Sequence, residues 1–165
     1  MSLGKEIEKM RKEIRTDGYG MSIGEWISLY EGKEIDIHPE FQRFYRWSST
    51  QKSNLIESIL LGIPIPPIFV SQRPDGVWDV VDGLQRLSTL YQFAGILENE
   101  HGKREKPLVL EKTKYLPSLE GMKWDDPDDP DRSFTLEQRL LIKRAKIDVS
   151  ILLRESTEVA TYELL

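Results

Sequence analysis

The chain has 165 residues, 39% of them hydrophobic and 31% charged, enough for one domain with a core of its own. A formal net charge of -5 argues against a molecule that is basic all over, and leaves open only a local basic groove. There is no cysteine, and His38 and His101 are the only histidines, so disulfides and thiolate metal sites are excluded and a histidine-built zinc or nuclease centre is disfavoured. No apolar run approaches membrane-spanning length and no signal peptide opens the chain, so a cytoplasmic location and no membrane partner are expected.

Residues 5 to 15 place Ile7, Met10 and Ile14 on a thin apolar stripe, which predicts a short helix or partly ordered arm. We assign residues 1–19 to this arm and 20–165 to a single domain. In "SIGEWISLYEGKEI", Ser22 and Glu25 form a capping-box pattern, with Ile23, Trp26, Ile27 and Tyr30 on one face and Gly32 as the stop. "EIDIHP" alternates like a strand through Ile35 and Ile37, and His38 before Pro39 is read as a structural residue in a turn.

"SSTQKSNLIESILLGIPIPP" is a helix, capped by Ser48 and Gln51, buried along Leu55, Ile56, Ile59 and Leu60, and stopped at Gly62 and Pro64. "PIFVSQ", "RPDG" and "VWDVVDG" read as a hairpin. A helix then buries Leu84, Leu87 and Tyr91, with Leu90, Phe93 and Leu97 beside them. "PLVLE" is a candidate strand, and "WDDPDDPDR" a solvated, mobile loop. "TLEQRLLIKR" predicts a helix, "AKIDVSILL" a strand, and "STEVATYELL" the start of another helix. Strands alternating with helices predict a mixed α/β domain, a small mixed sheet flanked by helices.

Two stretches carry chemistry. At "VVDGLQRLSTL" a strand meets a helix through Asp82-Gly83. One reading is a plain capped turn, with Asp82 paired to Arg86 at the surface. The other is an anion site. A helix start presents unpaired N–H groups, Gly83 admits a ligand to the backbone, and Arg86 offers a fork matched to phosphate. In that reading Asp82 holds a metal or orients Arg86, Gln85 positions a water, and Ser88 and Thr89 add hydroxyls. The second stretch, "FQRFYRW", sets Arg43 among core-seeking aromatics, where it needs an anionic partner. Stacking of these aromatics and arginines on bases is the alternative.

Taken in order, F-Q-R-x-Y-x-W, a helix ending L-x-G-x-P-x-P and D-G-x-Q-R-L-x-T-L resemble the N-terminal domain of GmrSD-type restriction endonucleases over roughly residues 20 to 165. The resemblance implies a compact fold like ParB partition proteins and sulfiredoxin. It also implies a phage-defence role linked to NTP binding or hydrolysis and to sensing modified DNA. It further implies that cutting is done by a separate nuclease domain, in the full-length chain or a partner subunit. On these motifs Asp82, Gln85 and Arg86 are the candidate catalytic residues. Gln42, Arg43, Gly83, Arg86 and Thr89 are the candidate nucleotide-binding residues, and Asp82 is the candidate ligand for magnesium. Leu84 departs from the pattern, which has glutamine there. The leading expectation is a nucleotide-binding, NTP-hydrolysing regulatory domain using NTP with Mg2+. The alternative is a non-catalytic DNA-binding module with a ParB-like fold. Direct phosphodiester cleavage ranks last, for want of a carboxylate cluster or histidine base.

Overall fold

The structure, a computed structural model, describes residues 2–13, 16–39 and 46–153. In chain order it contains α1 (Leu3–Glu13), β1 (Thr16–Ser22), α2 (Ile23–Glu31), β2 (Ile35–Asp36), α3 (Ser49–Leu60), β3 (Ile68–Gln72), β4 (Trp78–Asp82), α4 (Leu84–Phe93), α5 (Leu136–Arg144) and β5 (Lys146–Leu152). Single turns of 3-10 helix stand at Pro117–Leu119 and Pro130–Arg132. The helix expected from "STEVATYELL" lies outside the described residues.

The five strands form one mixed sheet in the order β1-β5-β3-β4-β2. β1/β5 and β3/β4 pair antiparallel, while β3/β5 and β2/β4 pair parallel. The expected α/β class and the β3–β4 hairpin are therefore present. In β5, Ile147, Val149 and Ile151 are buried while Lys146 and Asp148 are exposed, the alternation of a strand with one covered face.

Both expected capping boxes form, and so does one at Thr135 and Gln138 before α5. Trp26 is fully buried on α2. Its indole N–H donates to Ile147 O at 3.1 Å, and its own carbonyl accepts from the Tyr91 hydroxyl at 2.9 Å. These two bonds tie α2 to both β5 and α4.

Three stretches depart from the sequence reading. Thr16–Ser22 is a strand, although two glycines break any alternation. It is held by pairing along the whole of β5. "PLVLE" is not a strand. Leu108 and Leu110 are buried, but Leu110 N donates to Met122 O and Gly121 N to Leu110 O, so its backbone is satisfied by a following turn rather than the sheet. The acidic run is not a free loop. Trp124 packs edge-on against Phe93, Lys123 pairs with Asp126 at 2.9 Å, and Asp126 N donates to Ser133 Oγ at 2.7 Å.

Candidate functional site

β4 ends at Asp82, and Gly83 turns the chain into α4 with φ 102° and ψ 14°. That left-handed conformation favours glycine. Space demands it too: a Cβ on Gly83 would stand 2.4 Å from Ile68 Cδ1 and 3.1 Å from Arg86 Nη2. The space on the side where a Cβ would stand is thus filled by the protein's own side chains. What stays available is the helix end. No side chain caps α4, whereas α2, α3 and α5 each carry a capping box. Its first-turn N–H groups keep their donors and the partial positive charge of a helix start.

The capped-turn alternative is not realised. Gly83, not Asp82, holds the N-cap position, and exposed Asp82 forms no ion pair or side-chain hydrogen bond among the described residues. Arg86 turns instead toward the loop before β3, where Nη2 donates to Pro67 O at 2.8 Å. Its Nε is buried and has no hydrogen-bond partner. A buried guanidinium donor left unbonded is costly, and an acceptor placed there would recover that cost.

Gln85 Oε1 accepts from Trp47 N at 3.1 Å, so its carbonyl fixes the chain just after the "FQRFYR" stretch. Thr89 is fully buried and its hydroxyl donates to Gln85 O at 2.7 Å. That hydroxyl serves the helix backbone. Leu84 packs its side chain against the core. Gln42 and Arg43 lie outside the described residues.

A second polar cluster escaped the sequence reading. Parallel pairing sets Asp36 of β2 opposite Asp79 of β4, two like charges side by side. Arg73, from the hairpin turn, answers both. Nη2 reaches Asp36 Oδ2 at 2.7 Å and Nε reaches Asp79 Oδ2 at 2.9 Å. His38, held at φ 51°, places Nε2 2.7 Å from Asp79 Oδ1, and its N–H donates to Asp36 Oδ1 at 2.8 Å. Burial opposes the charge on Asp36, but the His38 N–H and the Arg73 guanidinium outweigh it and hold the carboxyl below its usual range. Hydrogen bonds to Asp79 and Asp36 raise Arg73 in turn. Asp36, His38 and Asp79 are close enough to share a metal ion, but Arg73 already supplies the cation between the carboxylates. The cluster borders a cleft of about 430 Å³ that Tyr30, Lys33, Glu98 and Arg104 also line. The sequence signal was there, in "IDIH" and "RPDGVWD", but only the register of β2 on β4 joins the two.

A model of the GmrSD restriction endonuclease N-terminal domain matches residues 24–163. The chain belongs to that family. Neither a curated protein nor a solved structure matches it. As a GmrSD N-terminal domain, the chain has a role in a restriction system. The Asp82–Arg86 junction and the Asp36–Arg73 cluster both fall within the matched residues. Among the described residues, no helix of this GmrSD domain is long and apolar enough to cross a membrane.

Proposed function

We propose that the chain is a nucleotide-binding regulatory domain of a modification-dependent anti-phage restriction system, acting in the cytoplasm. The observation that supports this most directly is the uncapped start of α4 beside Arg86, whose buried Nε lacks an acceptor. Phosphate oxygens supply both deficits at once. In this reading the first-turn N–H groups and Arg86 hold phosphate, with Gln42 and Arg43 as further phosphate ligands. Gln85 serves by fixing Trp47 through its backbone N–H. Asp82, exposed and without an ion pair among the described residues, holds the magnesium of the NTP, and that ion would neutralise charge developing on the phosphates. Hydrolysis then relies on charge stabilisation by Arg86. DNA is reached through the full-length protein, and cutting falls to a nuclease domain in the same chain or a partner subunit.

Calorimetry with NTP and magnesium on the wild type and on Arg86→Ala tests this. Loss of one charge-assisted phosphate contact is expected to weaken binding by roughly 10- to 100-fold. Equal affinity in a folded Arg86→Ala protein would sink the assignment.

A further inference from the structure

Past Gln85, the polar side of α4 continues through buried Ser88 and half-buried Gln92. With Arg46, Lys52 and Glu105 they line a small cleft between α4 and the start of α3. Two of the residues lining it, Arg46 and Lys52, are cations, and among the described residues neither has an anionic partner. Lys52 is half-buried, and its ammonium donates to the neutral amide oxygen of Gln92 at 2.6 Å. Lys52 and Arg46 form no ion pair among the described residues, and Glu105 stands beyond ion-pair reach of either.

The charge on Lys52 is badly placed for the fold alone. Lys52 N donates to Ser48 O, so the residue closes the first turn of α3, at the end where the helix dipole disfavours a cation. Burial and the nearby charge of Arg46 both lower its pKa, and Glu105 offsets only part of this. A lysine that only covered apolar surface would extend its ammonium into water. This one turns it into a polar cleft, against an amide that a neutral side chain would serve as well. Gln85 borders the same cleft and is next in sequence to Arg86.

We propose that the Arg46–Lys52 cleft is a second phosphate-binding subsite, which takes a phosphate group of the ligand held at the start of α4. The assignment rests on the nucleotide reading for its ligand, but its own chemistry asks only for a phosphate. Lys52 supplies the point charge, Gln92 orients it, and Arg46 adds a donor fork at the mouth.

The test uses sodium tripolyphosphate and NTP with magnesium on the whole chain, at constant ionic strength set with sodium chloride. Thermal unfolding and calorimetry compare wild type, Lys52→Met, Lys52→Arg and Arg86→Ala. Tripolyphosphate should raise the unfolding temperature of the wild type and of Lys52→Arg, and leave that of Lys52→Met unchanged. Affinity should fall at least tenfold in Lys52→Met. Without ligand, Lys52→Met should be no less stable than wild type, because an uncompensated charge has been removed. Tripolyphosphate binding equally to wild type and Lys52→Met overturns the subsite, as does Lys52→Met unfolding at a lower temperature without ligand. NTP binding that depends on Arg86 but not on Lys52 overturns the subsite and keeps the nucleotide reading. Tripolyphosphate binding through Lys52, with no NTP binding, keeps the subsite and ends the nucleotide reading.

Discussion

A methyl group at position 83 meets two obstacles at once. The backbone stands at φ 102°, and the methyl would press within 2.4 Å of Ile68 Cδ1, in a residue with no solvent exposure. Left-handed strain and overpacking together put the expected cost of Gly83→Ala at ~2–4 kcal/mol. The two parts separate in a double-mutant cycle. Ile68→Val removes the offending carbon, so Gly83→Ala should cost less in that background than in the wild type, as read by urea unfolding. Equal costs in both backgrounds would mean that backbone strain alone is responsible. That a glycine belongs at this junction was legible in the sequence, from the change of apolar period on either side. What fills the space beside it was not, because Ile68 arrives through the pairing of β3 with β4. The same limit applies to Arg86. Its residue type announced an anion, while its bond to Pro67 O comes from the preceding loop.

Among the elements, helices were read well and strands unevenly. The capping boxes at Ser22 and Ser48 depend on residues three apart, so local spacing reveals them. β1 depends on β5, at the other end of the chain, and "TDGYGMS" carries no strand pattern of its own. The candidate strand "PLVLE" failed for the converse reason: the pattern was right and a loop supplied the partners. The mutual hold of α2, α4 and β5 is directly testable. Tyr91 is fully buried, stacks on Tyr30 at 4.2 Å, and donates to Trp26 O. Tyr91→Phe keeps the ring and removes the second hydrogen bond to that carbonyl, which retains its partner within α2. We expect a loss of ~0.5–1.5 kcal/mol in denaturant unfolding. Under the proposed nucleotide reading, affinity should stay the same, since the start of α4 is untouched.

For the molecule as a whole, acid sensitivity should include the β2–β4 edge, alongside Glu57 and Asp126, whose carboxyls folding also holds below their usual range. The folded state lowers the pKa of Asp36 from its ordinary value of 3.8. Its ionised form therefore contributes stability above that value, and the contribution is lost as pH falls through the lower, folded value. Arg73 stays charged throughout. Wild type should lose its advantage over Asp36→Asn as pH falls through 3.8 and below the lowered folded value, with the two unfolding curves converging at the acid end. Curves that stay parallel would remove Asp36 from the acid response. The order of the sheet has a consequence in time as well as in space. β5 lies between β1 and β3, yet it is the last described strand to be made. During synthesis β1 has no neighbour and β3 keeps one edge open until Leu152 has left the ribosome. The sheet therefore closes only after the chain has been made from β1 through β5, which makes folding slow and leaves the nascent chain with unpaired edges that invite aggregation.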